Sequence, residues 1–263
     1  MNFEGPRTER MPTTASAVTS GRRRVLRACA WAVHCYTAAG GAAGLWALYF
    51  ASFGRFRESF LAMAVALAID STDGSLARLV GAAERVPELD GALLDNIVDY
   101  LTYVAAPVLL MLRAGVVPAD GLGLMLGSAV MMASGYGFSR RDAKTSDHYF
   151  RGFPSYWNVV AFYLYYLELA PHVNLAIVGF LTLAVLAPVS FIYPSRTAAL
   201  RGLTLVISTL WGLATFLLVL FLPRRHPALL ALSLASAAYY LLASLALGLR
   251  GKLSAPTGTG SCN

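Results

Sequence analysis

Two runs decide the reading of this chain. They are Asp70-Ser71-Thr72-Asp73-Gly74-Ser75-Leu76-Ala77-Arg78 and, after a spacer from Leu79 to Asp90, Gly91-Ala92-Leu93-Leu94-Asp95-Asn96-Ile97-Val98-Asp99. Four aspartates sit here in segments otherwise apolar enough to cross a bilayer. A carboxylate in hydrocarbon is costly, so such groups face a bundle interior and carry function. On a helix, Asp70, Asp73 and Ala77 share one face. Gly91, Asp95 and Asp99 repeat at four and share another. Two helices joined by a turn would aim both faces at one point.

Outward from these runs the chain is apolar. Hydrophobic residues make up 57% and charged residues only 13%, with a mean hydropathy of +0.59. A soluble domain is about a quarter charged. The net charge of +7 therefore reads as basic loops that orient helices and meet anionic lipid, not as a nucleic-acid surface. No nucleic-acid motif is present. Cys29, Cys35 and Cys262 lack CxxC spacing, and the first two fall in an apolar span as packing residues.

Apolar stretches occupy about 28–50, 59–80, 91–112, 117–138, 155–170, 173–193, 202–222 and 228–249. They are too long for strands and show no alternation. The expected fold is all-α, a polytopic transmembrane bundle of about eight helices. Segments 155–170 and 173–193 form either a tight hairpin or one bent helix. The first stretch exceeds the apolar core of about 7–15 residues in a signal peptide and reads as a retained span. Residues 1–25 read as a disordered basic tail, 26–250 as the membrane domain and 251–263 as a second tail. With eight spans and a cytoplasmic N-terminus, only Arg55, Arg57, Arg113, Arg224 and Arg225 fall outside. The rest of the Lys and Arg lie inside, which favours both termini in the cytoplasm. Asp70 then lies about 12 Å above the level of Arg78, shielded yet within reach of a lipid headgroup.

Clustered carboxylates suit hard cations such as Mn²⁺ or Mg²⁺. Gly74 and Ala77 leave room beside Asp73, and Arg78 offers a planar fork for phosphate. Asp90 reads as the N-cap of the helix that begins at Gly91, and Glu84 and Glu88 as solvated loop charges.

The pattern D-x-x-D-G-x-x-A-R, spacer, G-x-x-x-D-x-x-x-D resembles the CDP-alcohol phosphatidyltransferases at every fixed position: Asp70, Asp73, Gly74, Ala77, Arg78, Gly91, Asp95 and Asp99. The departure is the spacer, twelve residues (Leu79 to Asp90) where the family usually has eight. That length, and the run Phe150-Arg151-Gly152-Phe153-Pro154-Ser155-Tyr156-Trp157-Asn158, are similar to the bacterial phosphatidylcholine synthases. The resemblance implies an inner-membrane enzyme that moves the phosphatidyl group of CDP-diacylglycerol to choline and releases CMP. It implies metal ligands at Asp70, Asp73, Asp95 and Asp99, and a general base at Asp99. Donor contacts are implied at Asp73, Gly74, Ala77, Arg78 and Gly91. A homodimer is the expectation from the family.

Choline is a quaternary ammonium, for which aromatic faces are suitable partners. Tyr100, Tyr103, Tyr156 and Trp157 fall near the aspartates or the same membrane face. Tyr163, Tyr165, Tyr166 and Glu168 belong to the far side. Arg140, Arg141, Arg196 and Arg201 lie where lipid phosphates would be, although basic residues there also serve orientation. His148, in the same loop as Arg140, reads as solvated. Within the same reaction class, serine, glycerol 3-phosphate or inositol phosphate would be other acceptors. A cation transporter also keeps intramembrane carboxylates. It would have no use for the Asp-Gly-x-x-Ala-Arg register, and no repeat of the transporter kind is visible.

Overall fold

The computed structural model describes residues 14–140, 149–187, 190–192 and 201–253. The chain is a helical bundle, as expected. Its helices are α1 (Thr14–Ser52), α2 (Phe56–Val80), the single turn α3 (Ala82–Arg85), α4 (Gly91–Asp99), a π-helical segment (Tyr100–Ala105) and α5 (Ala106–Arg113). Then come α6 (Gly121–Ser139), α7 (Trp157–Leu167), α8 (Pro171–Leu186), α9 (Arg201–Leu220) and α10 (Pro227–Leu253). Strands β1 (Tyr149–Arg151) and β2 (Ser190–Ile192) form one short antiparallel pair.

Helical structure begins at Thr14 and reaches Leu253, so helix extends into both segments assigned to tails. Residues 1–13 and 254–263 lie outside the described residues. The region 155–193 holds two helices rather than one bent one. Glu168 adopts φ +50°, which ends α7, and Pro171 starts α8 with the residue best suited to a first turn. Helix α6 begins at Gly121, later than the hydropathy implied, because Asp120 accepts from the backbone N–H of Leu122 and Gly123 at 3.0 and 3.2 Å.

Four helical stretches among the described residues are long and apolar enough to cross a membrane: Phe56–Val80, Gly91–Arg113, Gly121–Ser139 and Gly202–Leu220. Pro171–Leu186 and Pro227–Tyr239 are shorter apolar helices. Helix α7 is shorter still; at 1.5 Å per residue its 11 residues reach about 17 Å of a core of about 30 Å.

Helices α1, α2 and α4 position the site. Gly40 on α1 lies against Val98, and Gly44 against Leu101 and Thr102. A Cβ at Gly40 would come within 2.8 Å of Val98, and one at Gly44 within 2.8 Å of Leu101 and 3.0 Å of Thr102, so glycine suits this approach. These pairs ascend together, so α1 and α4 run parallel. Against α2 the pairs run oppositely: Ser59 donates to the Ala47 carbonyl at 2.8 Å, Gly40 meets Ile69, and Tyr36 and Thr72 share a hydrogen bond at 2.9 Å. The main core continues through Phe60, Met63, Tyr103, Val104, Leu110, Val130, Trp157 and Phe162.

The long spacer is folded. Gly81 takes φ +57° and caps α2, its N–H bonding to the carbonyls of Ala77 and Arg78. This left-handed position suits glycine at a helix end. Helix α3 follows at once, and Val86, fully buried, closes a second small core with Ala30 and Ala82. Arg27 of α1 pairs with Glu88. Asp90 then caps α4 as expected, accepting from Ala92 and Leu93 at 3.0 Å each.

Candidate active site

Asp70 of α2 and Asp95 and Asp99 of α4 converge. One ligand oxygen from each lies within 4.8 Å of the others, and all three residues are half-buried. Opposite oxygens around a Mg²⁺-sized ion are separated by about 4.2 Å. The group is therefore somewhat wider than a closed coordination shell, in which neighbouring oxygens stand about 3 Å apart. Three hard oxygen donors at this spacing fit a divalent cation.

Asp73 is not one of the three whose ligand oxygens lie within 4.8 Å of one another. It lies one turn further along α2 and is 5% exposed. Asp95 and Asp99 are themselves one turn apart on α4, and it is Asp70 rather than Asp73 that lies within reach of both.

Tyr103 completes the cluster. Its hydroxyl donates to Asp70 Oδ2 at 2.6 Å, the short distance of a charge-assisted bond. It sits in the π-helical segment that begins immediately after Asp99. Pro107, in the first turn of α5, has no N–H to offer the carbonyl of Tyr103, and its ring crowds that carbonyl. The wider turn accommodates this mismatch, and such turns recur at functional sites. Thr102 also returns its hydroxyl to the Val98 carbonyl at 3.0 Å.

The Tyr156 ring lies 6.0 Å from that of Tyr103 at 46°. The preceding segment holds it there. Gly152, at φ +85°, passes so close to α8 that a Cβ would come within 2.2 Å of the Val185 carbonyl oxygen. Phe153 N–H bonds to the Ala184 carbonyl at 2.9 Å. Ser155, at φ +56°, and the Trp157 indole both donate to Ser134 Oγ of α6, at 3.1 and 2.8 Å. The run Gly152–Trp157 is thus a clamp that presents Tyr156.

Trp157 is itself fully buried, with its ring edge-on to Phe153 at 5.3 Å. It anchors the core, whereas Tyr156 beside it is half-buried. Tyr100 is half-buried and directs its hydroxyl to the Met131 carbonyl at 2.9 Å, bridging to α6. Arg140 ends α6 with its guanidinium 5.7 Å over the Tyr136 ring. Arg201 opens α9. Arg141, Arg196 and His148 lie outside the described residues.

The residues expected to contact the donor lie along the motif. Gly74 is half-buried with Arg78 beside it, and Arg78 donates to Ser75 Oγ at 3.0 Å. Gly91 opens α4 against α1, where the imidazole of His34 approaches it; a Cβ there would be 3.0 Å from His34 Cε1. His34 was not singled out in the sequence, because a lone histidine in an apolar span carries no motif signal.

A family model for CDP-alcohol phosphatidyltransferase matches residues 35–192, which include every residue of the carboxylate cluster. The chain belongs to this family. Curated relatives in it are phosphatidylcholine synthases. That of Legionella pneumophila is 38% identical over 222 residues, covering 82% of this chain and 87% of the relative. That of Pseudomonas aeruginosa is 36% identical, over 81% and 90%. That of Borreliella burgdorferi is 36% identical, over 68% and 76%. CDP-alcohol phosphatidyltransferases are transferases that generally use a divalent metal, and the three-carboxylate cluster is where this member would hold one.

Proposed function

We propose that the chain is a phosphatidylcholine synthase, transferring the phosphatidyl group of CDP-diacylglycerol to choline with release of CMP. The observation that carries this is the convergence of Asp70, Asp95 and Asp99 beside the paired rings of Tyr103 and Tyr156. Carboxylates and aromatic faces are what a quaternary ammonium alcohol needs on approach to a pyrophosphate. The synthase relatives support the same acceptor.

A cation held by Asp70, Asp95 and Asp99, Mn²⁺ or Mg²⁺, would neutralise pyrophosphate charge. Asp73, Gly74, Ala77, Arg78 and Gly91 hold the donor, with Arg78 toward its phosphates. Asp99 accepts the proton of the choline hydroxyl. The choline oxygen bonds to the phosphorus that carries diacylglycerol, the phosphoanhydride bond breaks, and CMP leaves with the bridging oxygen. Tyr103 fixes Asp70 through its hydrogen bond, and Tyr156 and Tyr103 face the trimethylammonium group. An apolar groove of about 280 Å³, lined by Leu67, Ala68, Ser71, Phe162 and Trp211, lies next to Asp70 on α2 and takes an acyl chain. Arg140, with Arg141, Arg196 and Arg201, meets lipid phosphates. The protein works in the bacterial inner membrane with its site toward the cytoplasm, as a homodimer.

The test is incorporation of labelled choline into lipid by purified protein given CDP-diacylglycerol and Mn²⁺ or Mg²⁺, alongside Asp99→Asn. Label with the wild type alone supports both the acceptor and the base. Label with both proteins removes Asp99 as the required base. CMP release with serine, glycerol 3-phosphate or inositol phosphate but not choline discards choline and keeps the transferase. Absence of CMP release with every alcohol returns the transporter reading.

A further inference from the structure

His34 is a second polar group buried beside the motif. It is 7% exposed, and its Nε2 has no hydrogen-bond partner. A buried nitrogen left unpaired costs about 1–3 kcal/mol, so the position asks for a ligand. The ring stands edge-on to Trp31 at 6.3 Å and presents its Cε1–Nδ1 edge to Gly91. The residue at 91 cannot carry a side chain without displacing it.

The helix registers locate His34 relative to the carboxylates. On α4, Gly91 is one turn before Asp95. On α2, the antiparallel pairs Ala47 with Ser59, Gly40 with Ile69 and Tyr36 with Thr72 bring the next turn of α1, at His34, level with Asp73 and Gly74. The imidazole therefore stands one turn from the carboxylate cluster, about 6 Å along the helices. It lies toward the end where α2 stops at exposed Arg78. Two glycines, Gly74 and Gly91, flank that level and leave space at the backbone.

We infer that His34 Nε2 hydrogen-bonds the nucleoside end of the CDP-diacylglycerol donor. The inference rests on the proposed reaction. If Asp70, Asp95 and Asp99 take the pyrophosphate, the two ends of the donor leave in opposite directions. The acyl chains go to the lipid core. The polar cytidine goes toward the helix end, past the one buried side-chain nitrogen at that level with an open valence among the described residues. His34 binds and orients the donor and takes no part in moving protons.

The experiment measures KM for CDP-diacylglycerol and for choline, and kcat, in the wild type, His34→Phe and His34→Gln. Phe keeps the ring volume without a polar atom, whereas Gln places an amide near Nε2. The expected result is a donor KM raised about tenfold in His34→Phe, one net hydrogen bond of about 1.4 kcal/mol. Choline KM and kcat should stay within about twofold, and His34→Gln should recover most of the loss. Unchanged donor KM in both variants overturns the inference, as does an equal rise in both, which would make the role one of shape. In the unaltered protein, carbethoxylation of His34 by diethylpyrocarbonate, read by peptide mass spectrometry, should slow with CDP present and not with choline. Equal labelling with and without CDP overturns it independently of any variant. A wild type that incorporates no choline but binds CDP at His34 would fault the acceptor and leave this inference standing.

Discussion

The Tyr103 hydroxyl donates to Asp70 Oδ2 at 2.6 Å, joining the π-helical turn after Asp99 to the first aspartate of the other motif half. This bond orients a carboxylate that would hold a cation, and such supporting partners typically change metal affinity or activity 10–100-fold. Tyr103→Phe should raise the metal concentration for half-maximal activity by about tenfold or more, with little loss of fold because the ring remains. A metal titration that superimposes on the wild type would show that Asp70 needs no such support.

Removal of the metal should abolish transfer. Treatment with a chelator is expected to stop CMP release, and added Mn²⁺ or Mg²⁺ to restore it. Asp70→Asn and Asp95→Asn should each lose at least about a hundredfold, since both alter the donor set of a three-carboxylate site. Full activity in excess chelator would require another explanation for why these three groups converge.

Tyr156 and Trp157 should separate cleanly. Tyr156→Ala removes a half-buried ring next to Tyr103. A cation–π contact contributes about 0.5–2 kcal/mol, so choline KM should rise about 2- to 30-fold while donor KM holds. Trp157→Phe removes the indole bond to Ser134. It should lower thermal stability and leave choline KM near its original value. The reverse pattern would move the headgroup pocket to the other face of this segment.

Gly152 is fixed by geometry. Its φ is +85°, and a Cβ would sit 2.2 Å from a backbone oxygen on α8. The clash is with main chain, so Gly152→Ala should destabilise by about 1–3 kcal/mol. It should also loosen Tyr156, raising choline KM as Tm in detergent falls. A variant with unchanged Tm would mean that the segment can leave α8 without cost.

The aspartates were legible because charge inside an apolar span is itself a signal, and their spacing fixed which shared a face. The helical class followed from the length of the apolar runs. Spacing gives a face but not a level, so it left open which of Asp70 and Asp73 stands within reach of both Asp95 and Asp99. The π turn had a trace in Pro107, whose effect on the Tyr103 carbonyl depends on how the helix continues. Trp157 looked like Tyr156 in the sequence; the bond to Ser134 separates a buried anchor from a half-buried ring. The start of α1 at Thr14 was hidden because its first turns are polar, and helices there are not read from hydropathy.

The spacer fold has a consequence for how the protein responds to its surroundings. Val86, Ala30 and Ala82 form a core apart from the main one, at the end of the bundle where Glu88 and Arg27 are exposed. Association of helices within lipid gains little from excluding water, whereas this small plug is stabilised by just that effect. Temperature and cosolvents that alter water should therefore act first on the seam between the two halves of the motif, and bilayer composition on the remainder. Between the two halves of its motif the chain carries a piece of soluble-protein thermodynamics, set into a body that obeys different rules.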